Sequence, residues 1–301
     1  MTSVLFAFAI HTGASLPVVD WNATAAELSR IAAEGGSVRA ALQREQPRLA
    51  AAVSEIAQHP DLLSLWGICS NFDELAKAVV VDPAIVDTLN SMARAPLRDG
   101  ARTHAGVQHT FGYFFSTLAT AYGYKRERWT KADIELGFGL PRGVLGIAPS
   151  AGTLFENATY FAGRIALADD SRAQRMLAAV KERVAPSLVD FPYAALQRRR
   201  LVETLTLANA RIELRSDFVF FGHPVAGSTS VAWLIYSVLD SRIGHRQLIT
   251  AFPVGQAFVD SKTASALLGE KQTIMTQYNA FVAGLSDSAA AHLGTRTLTR
   301  E

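Results

Sequence analysis

The stretch Val231-Ala-Trp-Leu-Ile-Tyr-Ser-Val-Leu239 decides the fold class. It lacks polar alternation, so it reads as a strand buried on both faces, with Trp233 and Ile235 in the core. The polar loop Asp240-Ser-Arg-Ile-Gly-His245, of hairpin length, follows it, and a second apolar run spans Leu248 to Val254. Upstream, Phe218 to Phe221 is a third short run. Together these predict a small, mainly antiparallel sheet drawn from 216–254. Residues 3–10, apolar on both faces, read as an N-terminal strand that most economically joins it.

Outward from this sheet the signals are helical. Thr24 and Glu27 have capping-box spacing and open an Ala-rich helix that Gly35-Gly36 ends. Ser37 can cap the next helix, which Pro47 must interrupt. Leu49, Val53 and Ile56 make one apolar helix face, and Asn71 with Glu74 repeats the capping pattern. Asp82-Pro83 is a cap followed by proline at the first helical position, ahead of the stripe Ile85, Val86, Leu89 and Met92. Further helices are expected at 109–122, where β-branched and aromatic content also allows a strand, from Thr130 and Asp133, and through Leu154, Phe155, Phe161 and Ile165. Others are expected from Ser171, from Tyr193 through Leu196, Leu201 and Leu205 to Ala208, and from Ile274 to Leu285. The tail from Ser286 is small and polar and reads as mobile. The expected fold is therefore α+β and helix-dominant. It is one intertwined unit over 1–301, with a helical subdomain at 20–95 and a mixed part at 107–285 that carries most of the sheet.

Composition narrows the function classes. The 301 residues are 49% apolar and 19% charged, which excludes disordered, collagenous and coiled-coil chains. A net charge of +2 argues against bulk attraction to nucleic acid or acidic membranes. Residues 2–19, 103–124 and 218–239 lack Asp, Glu, Lys and Arg, yet none supplies about 20 consecutive apolar residues, so no membrane span is expected. The single cysteine, Cys69, cannot form an internal disulfide and reads as a buried, inert thiol, which fits a reducing cytoplasm. The apolar run Val4–Ile10 lacks the basic flank of a leader.

The phosphate-loop, H-E-x-x-H, paired C-x-x-C, EF-hand and G-x-S-x-G patterns are all absent. Gly137-Phe-Gly-Leu-Pro-Arg-Gly143 has the wrong spacing for a dinucleotide fingerprint and reads as a structural loop. His104 and His109 lie five apart and do not share a helix face, so they make a poor zinc pair. The basic segments 125–128 and 198–200 read as solvated surface; three consecutive arginines on a helix cannot all face one ligand.

One constellation remains, at the strand ends. His11 and Thr12 follow the first strand, His223 follows the Phe218–Phe221 run, and Asp240, Arg242, His245 and Arg246 bound the hairpin loop. If these ends meet, His11, His223 and His245 supply acid–base groups, Asp240 fixes a tautomer, and Arg242, Arg246 and Thr12 hold the substrate. That arrangement suits a soluble enzyme of the hydrolase or lyase kind, acting on an anionic small molecule or phosphodiester by histidine acid–base or metal-assisted chemistry. No metal or cofactor is specified. Two alternatives stand beside it. One is a non-catalytic binding or assembly subunit with a protein partner or a second copy of itself. The other is a nucleic-acid-acting protein using segments 125–128 and 198–200.

Overall fold

The computed structural model describes residues 19–73, 76–95, 102–120, 123–124, 133–145, 154–206, 210–264, 271–276 and 292–300. The proposed strand at 3–10, His11, Thr12 and segment 125–128 lie outside them.

The helical part follows its capping chemistry. Helix α1 (Trp21–Ala33) starts at Asp20, whose carboxylate accepts from the amides of Asn22 and Ala23 at 3.0 Å each. Thr24 lies inside this helix and returns its hydroxyl to the Asp20 carbonyl. Gly35, at φ +76°, ends it, a conformation glycine takes without strain. Helix α2 (Val38–Glu45) is capped by Ser37, and α3 (Pro47–Glu55) begins on Pro47. A single turn, α4 (Pro60–Leu63), follows. Helix α5 (Pro83–Met92) carries the expected Asp82 cap and buries Ile85, Val86, Leu89 and Met92. Asn71 caps no helix. Its side chain is fully buried and clamps Val81, donating to the Val81 carbonyl at 2.7 Å and accepting the Val81 amide at 3.1 Å. That clamp closes a hairpin of Phe72–Asp73 with Ala78–Val79.

Helices α6 (Ala105–Thr110), α7 (Asp133–Gly137), α8 (Leu154–Ala166), α9 (Ser171–Val180) and α10 (Pro186–Val189) lead to the main sheet. After the short ladders β1 (Ile68–Ser70), β2 (Phe72–Asp73), β3 (Ala78–Val79), β4 (Arg102–His104), β5 (Ala119–Thr120) and β6 (Gly123–Tyr124), its strands are β7 (Arg198–Thr206), β8 (Arg211–Phe220), β9 (Ser230–Asp240), β10 (Arg246–Gly255), β11 (Lys271–Thr276) and β12 (His292–Arg300). The spatial order is β10-β9-β8-β7-β12-β11, with every pair antiparallel. Strands 231–239 and 248–254 and the loop between them match the sequence reading within two residues. One face of the sheet meets α7 and α8. There Trp233 is fully buried and stacks on Phe161 at 5.2 Å, with Phe138 edge-on at 6.2 Å. The other face is closed in part by α11 (Gln256–Thr263) through Val259. At the free edge of β10, Leu248 exchanges backbone hydrogen bonds with Leu65 and Gly67, which ties the α1–α5 part to the sheet.

Eleven α-helices and a six-stranded antiparallel sheet, among the described residues, make a mixed α+β fold. The expected helix dominance is weakened where two segments read as helical carry strands. Residues 198–206 are β7, because Leu201 and Leu205, four apart, share a face in a strand as well as in a helix. Residues 271–276 are β11, and 277–285 lie outside the described residues. The tail at 292–300 is β12 and not a loose end; Thr295, Thr297 and Thr299 alternate along it, a strand signal hidden by its polarity.

Candidate functional site

The expected strand-end cluster divides. Phe220 pairs with Ala232 at one end of β8 and β9, and Ile212 pairs with Asp240 at the other. Eight residues of strand separate those rows, about 26 Å at about 3.3 Å per residue. His223 follows the first end, exposed, its amide donating to the Gly137 carbonyl at 3.1 Å. Asp240, Arg242, His245 and Arg246 lie at the second end. A three-strand meander turns at alternate ends, so loops 221–229 and 241–245 cannot share a cleft.

Asp240 and its neighbours have structural duties. The fully buried Asp240 carboxylate accepts from the Arg242 amide at 2.9 Å and from Arg242 Nε and Nη2 at 2.9 and 2.5 Å. The Asp240 carbonyl takes the amides of Ile243 and Gly244. These bonds build the β9–β10 turn. Arg246 is buried and paired with the Glu213 carboxylate. His104 caps α6: its Nδ1 accepts from the Val107 amide, and Nε2 donates to the Leu63 carbonyl at 3.1 Å. Burial pulls its pKa down to about 4, against the opposing pull of that hydrogen bond. His109 Nδ1 sits 3.0 Å from Thr250 Oγ1. No group of three His, Cys, Asp or Glu side chains suited to a metal occurs among the described residues.

A different site emerges between α8, α9 and the start of β7. A cleft of about 510 Å³ is lined by Arg164, Ile165, Ala168, Gln174, Tyr193, Ala194, Leu196 and Arg198. Helices α8 and α9 form its wall as a tight hairpin. Gly163 permits the close approach: a Cβ there would lie 2.9 Å from Leu177 Cδ1. Asp170 caps α9, accepting the amides of Arg172 and Ala173 at 2.9 and 3.0 Å. One turn into α9, Gln174 donates to the Leu167 and Gly163 carbonyls at 2.9 and 3.3 Å. Its amide oxygen, fixed in this way, accepts from Arg164 Nη1 at 3.0 Å. The Arg164 guanidinium also lies over the Tyr193 ring, 5.3 Å from its centroid. Tyr193 donates its hydroxyl to the Leu188 carbonyl at 2.7 Å, and burial, then Tyr160, raises its pKa.

Arg164 is thus held at one nitrogen and one face. Its Nε is fully buried and has no acceptor among the described residues. Neither Arg164 nor Arg198 pairs with a carboxylate among them, whereas Arg200, Arg215 and Arg246 each do. Strand alternation places Arg198 and Arg200 on the face of β7 that looks toward the helices. Beside Arg198, Arg200 Nε reaches Asp217 Oδ1 at 2.7 Å. Asp217 is fully buried, and its Oδ2 has no hydrogen-bond partner among the described residues. Burial raises its pKa, opposed first by Arg200. The middle arginine, Arg199, points to the opposite face, donating to Thr263 Oγ1 at 3.1 Å and lying over Phe220.

The arginine run was visible in the sequence, but a helical assignment hid its alternation. Arg164 and Gln174 carried no local signal, being ten residues apart and joined only by the helical hairpin. Comparison with known proteins returned no match: no family model, no curated protein and no solved structure resembles this chain.

Proposed function

We propose that this chain binds a small anionic molecule in the cleft between the α8–α9 hairpin and β7. The observation that carries this is the state of Arg164. Gln174 holds Nη1 and Tyr193 covers one face, while the Nε–Nη2 edge has no acceptor among the described residues. A buried N–H without an acceptor costs about 1–3 kcal/mol, and a guanidinium edge is the natural partner of a planar anion. Arg198, with no carboxylate at ion-pair distance among the described residues though within electrostatic reach of Asp217, adds a second positive charge at the same cleft. Arg164 and Arg198 therefore take the substrate-holding role first assigned to Arg242 and Arg246.

The chemistry supports recognition. Among the described residues the cleft lining holds no imidazole or carboxylate to move a proton, and its one phenol is engaged with Leu188. Polyanion binding finds less support, because Arg199 faces away and Arg200 is tied to Asp217.

Thermal unfolding of the whole chain against acetate, octanoate, sulfate and inorganic phosphate tests the proposal. At a hundredfold excess over Kd a ligand adds about 2.7 kcal/mol. Unfolding entropy of about 2.1 cal/mol/K per residue converts that to about 4 °C for 301 residues. The expected result is such a rise with at least one anion, abolished in Arg164→Met. No rise with any anion, or an equal rise in Arg164→Met and Arg198→Met, refutes it.

A further inference from the structure

We infer that the ligand of this cleft is an apolar monocarboxylate, with its carboxylate on the Arg164 edge and its body along Ile165, Ala168, Ala194 and Leu196. The inference rests on the anion-binding reading and specifies it through the polar groups of the lining. Tyr193 donates its hydroxyl to Leu188. Gln174 directs its oxygen to Arg164 and its nitrogen to Leu167 and Gly163. Of the lining side chains, the two guanidiniums are the ones with unengaged N–H groups, and they are donors alone. Four of the eight lining side chains are aliphatic, and Tyr193 presents a ring.

Sugar hydroxyls and nucleobase edges need acceptors as well as donors, and the lining side chains offer them only the residual lone pairs of Tyr193 and Gln174, a poor match for such ligands. A phosphoryl group is also poorly served. Such groups favour the free amides of a helix N-terminus, but at α9 the amides of Arg172 and Ala173 already donate to the Asp170 carboxylate. Two oxygens in one plane match two N–H groups in one plane, which is the geometry of a carboxylate on Nε and Nη2. A cleft of about 510 Å³ lies within the usual range for small-molecule sites, about 300–1,000 Å³.

Calorimetric titration of the full chain with butanoate, hexanoate, octanoate, octanol, octyl phosphate and inorganic phosphate tests this. Affinity should rise about three- to fourfold per methylene, the fold-change equivalent to about 0.8 kcal/mol per buried CH₂. Octanol should not bind. Arg164→Lys, which keeps the charge and loses the fork, should weaken octanoate at least tenfold. Leu196→Ser should weaken octanoate and flatten the chain-length series, with far-ultraviolet dichroism confirming the fold of both variants. Tighter binding of inorganic phosphate or octyl phosphate than of octanoate overturns the inference and leaves the anion cleft standing. Affinity that does not grow with chain length does the same. Silence from every probe overturns both.

Discussion

Trp233→Ala tests the packing that fixes the sheet against the helices. Trp233, the fourth residue of β9, is fully buried, stacked on Phe161 and edge-on to Phe138. A buried tryptophan removes about 200 Å² from water, about 5 kcal/mol at about 25 cal/mol/Å². Alanine retains a small part of that, and the cavity left beside Phe161 adds a cost of its own. The expected loss is about 4 kcal/mol, inside the usual range of about 3–5 for emptying an aromatic core site. Unfolding entropy of about 0.63 kcal/mol/K for 301 residues makes this a fall in Tm of about 6 °C. Urea unfolding followed by far-ultraviolet dichroism avoids reliance on the deleted fluorophore. Val79→Ala, at a position 45% exposed, is the control and should change stability by less than about 0.5 kcal/mol. A loss below about 1 kcal/mol for Trp233→Ala would show that β9 is not packed on α8, and the cleft built on that packing would go with it.

Three further outcomes follow from buried polar groups. Burial raises the Asp217 pKa above its ordinary 3.8, so the folded chain holds this proton to higher pH than the unfolded chain. Its contribution to stability falls as pH rises from about 4 toward the raised value, and Asp217→Asn should remove that slope from urea midpoints measured across pH 4–8. His104 has the opposite sign: with a folded value of about 4 against 6.5, the unfolded chain takes the proton first. Stability of about 3 kcal/mol is therefore present above pH 6.5 and lost as pH falls to about 4, and His104→Gln should flatten that fall. Asp240→Ala should cost about 2 kcal/mol by removing the buried carboxylate that accepts the Arg242 amide and guanidinium, without changing octanoate affinity, because Asp240 and Arg198 sit at opposite ends of β8. An affinity change above about twofold would contradict that separation.

Local chemistry made much of the fold readable. Ser37, Asp82 and Gly35 act where their side chains and dihedral freedom require, and the two-sided apolar runs became β9 and β10. Strand β8 was half visible because its alternation is inverted. Glu213, Arg215 and Asp217 share the face that carries Val219, opposite Trp233, so charge sits where apolar residues normally mark the core. Strand β7 was hidden by a spacing that serves helix and strand alike. For the site, the separation of His223 from Asp240 was already implied by the predicted strands, since the loops flanking Val231–Leu239 must lie at opposite ends. The pairing of Arg164 with Gln174 was not implied, because it exists only once Gly163 lets two helices close.

Selective ¹⁵Nε-arginine labelling offers the most direct test of the claim that the Arg164 edge takes an anion. The Nε–Hε cross-peak of Arg164, identified by its loss in Arg164→Lys, should move downfield and exchange more slowly as octanoate is added. The peak of Arg242, in the turn beyond the end of β9 farthest from Arg198, should stay in place. An unmoved Arg164 peak at octanoate concentrations that shift Arg242 would contradict the assignment and return the site to the β9–β10 turn.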